Sequence, residues 1–234
     1  VIKAAVTQVW HENAVETRSA YGQFRYCLNH SYAELLDVPG LLPFSILPVK
    51  NTSPSVILKH FDLLILTGGG DVSPSIYGRE DQGSRNHSSH RYWWDIALYK
   101  AARELGMPVL GICLGMQVIG IAEGVALIQD IDSTLNTPVF HDGSASAPAE
   151  HPVDICQGSF LHSVFGRKAL VSSFHHQVLE KVPPDYSVSA RSSDGLIEAI
   201  ESRNGRVVGV QWHPERDSTG QPLIEAMMRI AETT

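Results

Sequence analysis

Cysteine is scarce in this 234-residue chain. Cys27, Cys113 and Cys156 are the only three, an odd number at spacings that match neither a disulfide framework nor a zinc-ligand pattern. A fold stapled by disulfides is therefore not expected, and a reducing, cytoplasmic setting is. Long apolar runs are also missing, so no segment offers the roughly 20 apolar residues that a membrane-spanning helix needs. The first residues, VIKAAVTQVW, lack the basic region, apolar stretch and small-residue cleavage site of a secretory signal. Positive charge is in deficit: 18 Lys and Arg against 25 Asp and Glu give a formal net charge of −7. With basic residues spread along the chain, a nucleic-acid-binding surface is not expected. Internal repeats and low-complexity segments are absent. What remains is an ordinary globular composition, 43% hydrophobic and 18% charged, long enough to bury a sizeable core.

Short apolar runs alternate with longer amphipathic stretches, the pattern of βα units and a parallel sheet. It predicts strands at 2–7, 44–49, 62–67 and 109–112, and helices at 21–38, 92–105 and 114–123. The run 62–67 (DLLILT) is continuously apolar and is expected to be buried on both faces. Pro48 puts the end of the second strand near a sheet edge or turn. The polar stretch 78–90 (GREDQGSRNHSSH) reads as a mobile loop or lid. Beyond Val125 the texture changes. Residues 132–150 are loop-like, short β-type runs follow at 152–155, 169–174, 186–190, 197–201 and 207–212, and a helix closes the chain at 221–231. The expectation is one α/β domain over residues 1–234, with a parallel core and a smaller antiparallel elaboration in its second half.

The stretch PVLGICLGMQ (residues 108–117) places Cys113 where a strand turns sharply into a helix. Gly111 and Gly115 stand two residues to either side, where side chains would collide with the returning helix. The steric logic is that of a nucleophile elbow, with sulfur as the nucleophile. The thiol would sit at the carboxyl edge of the sheet, where open α/β sheets bind ligands, beside a helix N-terminus whose partial positive charge stabilises an anion. A buried structural cysteine is the bland alternative; the paired glycines argue against it.

Thr67-Gly68-Gly69-Gly70-Asp71 ends the third predicted strand. Three glycines let backbone N–H groups approach a ligand with no Cβ in the way. A phosphate cradle is disfavoured because Asp71 would repel the phosphate; an oxyanion hole, shared with the N–H of Leu114, fits better, and a plain flexible turn is the bland reading. Downstream, the strand 207–212 leads into His213-Pro214-Glu215. Proline keeps the residue before it out of the α region, and residues two apart on an extended segment point the same way, so Glu215 is expected to orient the His213 imidazole as a general base. The histidine pairs His87/His90 and His175/His176 lack the combined spacing of a ligand set, so no metal is expected.

TGGGD, PVLGICLGMQ, SFHHQ and GVQWHPE, in this order and at these separations, resemble the class I glutamine amidotransferases. More narrowly they resemble the γ-glutamyl-γ-aminobutyrate hydrolase branch, peptidase family C26, and DGLIEAIES (194–202) is similar to that branch's strand before the final motif. The resemblance covers nearly the whole chain. It implies a flavodoxin-like three-layer sandwich, a Cys113–His213–Glu215 triad, an oxyanion hole from Leu114 with Gly69 or Gly70, and Gln117, His175 and Asp71 near the substrate. It implies hydrolysis of a small γ-glutamyl amide through a thioester, with neither metal nor cofactor, and admits a homodimer. Other readings stay open: hydrolysis of a γ-glutamyl nucleotide amidate, a glutaminase subunit feeding ammonia to a separate synthetase, or a non-enzymatic binding protein. Leu114 departs from the Arg that many members of the branch carry after the nucleophile. Arg91-Tyr92 replaces their Arg-Asp, and Trp93 and Trp94 follow, to pack the helix or to stack on a base. The segment 21–25 is closer to the nucleotide-amidate subgroup.

Overall fold

Leu63, Leu64, Ile65 and Leu66 are all fully buried, and successive side chains of a strand point to opposite faces. Leu63 and Ile65 join one apolar cluster and Leu64 and Leu66 the other, so the strand lies in the middle layer of three, as its continuous apolar run predicts. The structure, a computed structural model, describes residues 1–11, 25–85, 89–144, 147 and 149–233.

The elements run β1 (Ile2–Val6), β2 (Val9–His11), β3 (Arg25–Cys27), α1 (His30–Leu35), β4 (Leu41–Ser45), α2 (Pro54–Leu58), β5 (Leu63–Leu66), α3 (Ser89–Glu104), β6 (Val109–Ile112), α4 (Leu114–Ala122), β7 (Leu127–Ile128), α5 (Ile131–Thr134), β8 (Ala149–Ile155), α6 (Phe160–Phe165), β9 (Lys168–Ser173), β10 (Val178–Leu179), β11 (Tyr186–Ser192), β12 (Ile197–Ser202), β13 (Val207–Val210) and α7 (Gly220–Glu232). Short 3₁₀ turns occupy Pro74–Tyr77 and Pro214–Arg216.

The main sheet has the order β4-β1-β5-β6-β13-β12-β11-β8-β9. The first five strands are parallel and the last four continue antiparallel. This is the doubly wound α/β arrangement with an antiparallel extension that the sequence predicts. Residues of α3 and α4 pack on one face, in the cluster around Trp94, Leu98 and Ile119. Residues of α1 and α7 pack on the other, around Tyr32, Leu223 and Met227.

Three expectations need correction. The helix predicted at 21–38 begins at His30. Residues 25–27 instead form β3, paired with β2, because ladder hydrogen bonds outweigh a helical spacing that only part of the stretch satisfies; residues 21–24 lie outside the described residues. The second main-sheet strand is shifted to Leu41–Ser45, in register with Ile2–Val6. Pro43 is accommodated there because β4 is an edge strand, where a missing N–H costs no ladder bond. The loop after residue 78 is anchored over its described part: Gln82 N–H donates to Gln129 Oε1 at 2.7 Å, Gln129 Nε2 donates to the Glu80 carbonyl at 2.9 Å, and Arg79 pairs with Glu180 at 3.2 Å. Residues 86–88 are outside the described set. Tyr92 and Trp94 are core residues, while Trp93 is 39% exposed and stands edge-on to Trp94.

Candidate active site

The chain leaves the carboxyl ends of β5, β6 and β13 at Thr67, Cys113 and the segment Gln211–His213. Gly68, Gly69, Gly70, Cys113, His213 and Glu215 all line one cavity of about 440 Å³. That is where an open α/β sheet places its ligand crevice.

Cys113 has φ 50° and ψ −103°, a left-handed backbone uncommon outside glycine, as the elbow requires. A Cβ on Gly111 would stand 2.7 Å from the Gly115 carbonyl carbon and 2.6 Å from Ile119 Cδ1, so the first glycine makes room for the returning helix. The second works differently from the expectation. A Cβ on Gly115 would stand 2.2 Å from the Leu66 carbonyl oxygen, so Gly115 lets α4 approach the neighbouring strand β5.

His213 Nδ1 lies 2.6 Å from Glu215 Oε1, and both side chains are buried to within a tenth. His213 avoids the α region, with φ −108° and ψ 83°, as the following proline demands. The route to the pair is not the expected one, however. Glu215 lies in the 3₁₀ turn Pro214–Arg216, and this turn, rather than an extended segment, folds the carboxylate back onto the ring. His213 Nε2 has no hydrogen-bond partner among the described residues. Burial pulls the imidazole pKa down, and the negative charges of Cys113 and Glu215 overcome this and raise it to about 10.

The glycine loop is held from below by Arg91, which is buried. Its Nη1 donates to the Gly68 carbonyl at 2.7 Å, its Nη2 to the Thr67 carbonyl at 2.8 Å and to the hydroxyls of Thr67 and Thr7 at 2.9 and 3.0 Å, and its Nε to Asp95 at 2.7 Å. The Gly68 N–H is engaged by the Tyr32 hydroxyl at 2.8 Å, whereas Gly69 and Gly70 N–H have no such acceptor among the described residues. Leu114 begins α4, where an N–H has no partner within the helix.

Gln117 lines the cavity and is tied by its amide to the Gln177 carbonyl at 3.3 Å. Asp71 lines it too, paired with His176 at 2.8 Å; the same ring reaches Asp130 at 3.2 Å, and Arg85 links Asp130 and Asp142 at 2.9 and 2.6 Å. His175 belongs to the lining as well, yet its Nε2 turns towards Glu198 at 3.7 Å. Tyr92, Trp93 and Trp94 are not among the described residues that line the cavity; Tyr92 and Trp94 pack in the core, whereas Trp93 stays partly exposed beside Trp94. Sequence reasoning missed Tyr32, Arg91, Glu198 and Gln211. Gln211, whose Nε2 is 3.6 Å from Cys113 Sγ, sits inside the GVQWHPE motif and was within reach; Arg91 carries no local signal of its fivefold bonding.

This layout is that of a class I glutamine amidotransferase-like hydrolase. The sequence matches the peptidase C26 family over residues 5–215, and the chain belongs to that family. Protein NtpR of Enterococcus hirae is 34% identical over 190 residues, 77% of this chain and 80% of its own. Gamma-glutamyl-gamma-aminobutyrate hydrolase PuuD of Escherichia coli is 30% identical over 215 residues, 86% and 84% of the two chains. A Mycobacterium tuberculosis protein provisionally named a glutamine amidotransferase is 35% identical over 189 residues; the match takes in 79% of this chain and 60% of that longer one. Among solved structures, the glutaminase domain of Trypanosoma brucei CTPS superposes with TM-score 0.65 at 16% identity, over 100% of this chain and 95% of the other, a likeness of fold.

Proposed function

We propose that the chain is a cysteine-dependent hydrolase that releases glutamate from a small γ-glutamyl amide, with Cys113 as nucleophile, His213 as acid and base, and Glu215 as the carboxylate that orients it. The observation that carries this reading is the convergence of the strained Cys113 elbow, the His213–Glu215 pair and the Gly69–Gly70 loop on one cavity.

In the first half-reaction the Cys113 sulfur attacks the δ-carbonyl carbon, and the negative oxygen is met by N–H groups of Leu114 and of Gly69 or Gly70. Loss of one such donor costs about 10²–10³ in rate. His213, protonated at neutral pH because of its raised pKa, gives its proton to the amide nitrogen as the C–N bond breaks, and the amine departs. The thioester stays on Cys113. His213, now neutral, removes a proton from water, which attacks the thioester carbonyl, releasing glutamate and restoring the sulfur. Glu215 holds the Nδ1 proton throughout, which keeps Nε2 directed at the reacting groups.

The cavity is lined by charged groups of both signs, Asp71, Asp142, Arg85 and Arg216; Arg85 is paired with Asp142 and Asp71 with His176, so an amino acid head would have to exchange with these pairs. The test is glutamate release by the purified chain from the γ-glutamyl amides of γ-aminobutyrate, alkylamines and polyamines, a nucleotide phosphoramidate, and glutamine. Turnover of an amine conjugate, abolished in Cys113→Ala, is expected. Turnover unchanged by Cys113→Ala removes the thiol mechanism, and glutamine turnover only on adding a partner replaces this reading with an ammonia-delivering subunit.

A further inference from the structure

On the antiparallel side of the sheet, four residues far apart in the chain meet in the protein interior: His141, His151 on β8, His175 just past β9, and Glu198 on β12. Their exposures are 3%, 6%, 4% and 0%. One ligand-type atom from each lies within 4.8 Å of all the others. Glu198 Oε1 is 3.3 Å from His141 Nδ1 and 3.7 Å from both His151 Nε2 and His175 Nε2. We propose that these four side chains form a closed, four-coordinate site for a zinc ion.

Two independent features support the assignment. First, the atoms facing the centre are unsatisfied. Among the described residues, His141 Nδ1, His151 Nε2, His175 Nε2 and both Glu198 carboxylate oxygens make no hydrogen bond, only their mutual contacts of 3.3–3.7 Å through Glu198 Oε1, although buried polar atoms are nearly always hydrogen-bonded. Second, the outward nitrogen of each ring is anchored. His141 Nε2 contacts Asp194 Oδ2 at 2.9 Å, His151 Nδ1 the Pro152 carbonyl at 3.4 Å and His175 Nδ1 the Gln177 carbonyl at 3.0 Å. A carbonyl or carboxylate accepts only from an N–H, so each outward nitrogen carries a proton, and in the neutral ring the inward nitrogen then presents a lone pair. This is how metal-bound histidines are held, the carboxylate–histidine pair above all. Asp194 is held in turn by the Ser192 hydroxyl at 2.5 Å and by Thr137.

The size fits as well. Ligand atoms about 2.0 Å from a tetrahedral zinc stand about 3.3 Å apart. The Glu198 contacts of 3.3–3.7 Å are already close to that, while the widest pair, within the 4.8 Å span, has to close by up to about 1.5 Å as the rings turn onto the ion. Imidazole with one carboxylate suits zinc, and four protein ligands leave no open position, which marks a structural rather than a catalytic ion. Such an ion would clamp β8, β12 and the segment following β9 together. That segment supplies Phe174, His175, His176 and Gln177 to the cavity wall, with the Phe174 carbonyl 4.0 Å from Cys113 Sγ. The metal would fix one wall of the candidate active site without touching substrate.

The proposal is tested on the full purified chain by elemental analysis, then by chelation and titration of the metal-free protein with Zn²⁺ or Co²⁺. Expected are about one zinc per chain and, with cobalt, the intense visible bands of a tetrahedral site. Glu198→Gln and His151→Ala are expected to reduce bound metal to roughly a tenth or less, while Cys113→Ala retains all of it. Metal retained undiminished by Glu198→Gln, or lost from Cys113→Ala, overturns the site. Should the ligand variants fail to fold, the wild-type cobalt titration decides: no metal retained and no visible bands also overturns it.

Discussion

At residue scale the site depends on a few positions where no other side chain serves. Gly69 is one: an added Cβ would lie 2.4 Å from Arg91 Nη1 and 2.7 Å from Leu114 Cδ2, displacing both the loop's anchor and the residue after the nucleophile. Gly69→Ala is expected to lower kcat by about 10²-fold with a smaller effect on KM, the signature of a lost transition-state contact; steady-state kinetics on the best amide checks it. Glu215→Gln removes one of the charges that raise the His213 pKa, so that pKa is expected to fall below its present value of about 10, with kcat down by about 10²-fold or more. Histidine NMR titration and the pH–rate profile read the two effects. The sign is set by the direction of the shift. Because His213 is raised above its ordinary value of 6.5, its ion pairing stabilises the fold fully below that value and is lost as pH rises through about 10. Wild-type Tm is therefore expected to fall between neutral pH and 10, less steeply in Cys113→Ala.

At the scale of elements, the central parallel strands and α4 were legible because burial on both faces leaves an unbroken apolar run, and because an elbow needs its glycines. The edge was less legible. β2 and β3 are three-residue ladders whose pairing partner is set by the fold, and β4 has one buried side chain, Leu41, so periodicity had little to mark. The packing of α4 on β5 yields the clearest prediction here. Gly115→Ala would gain up to about 1 kcal/mol of helix propensity, yet the added Cβ meets a backbone carbonyl at 2.2 Å. A net loss of about 1–3 kcal/mol is expected, read as a lower urea midpoint at unchanged slope.

Across the whole molecule, the catalytic candidates were readable because each sits in a short contiguous motif whose local geometry has a chemical reason. The histidine–glutamate cluster was not, since its members are separated by 10, 24 and 23 residues in the chain and only the antiparallel ladder brings them together. His175 shows the difference: its motif placed it near the substrate, and the fold turns its free nitrogen away towards Glu198. The central claim remains the covalent one, that Cys113 carries the acyl group. Rapid acid quench of the wild-type chain turning over a γ-glutamyl anilide, followed by peptide mass spectrometry, tests it directly. A γ-glutamyl adduct on the peptide containing Cys113, absent from Cys113→Ala, is the predicted result; an adduct on another residue, or undiminished glutamate release by Cys113→Ala, would contradict it.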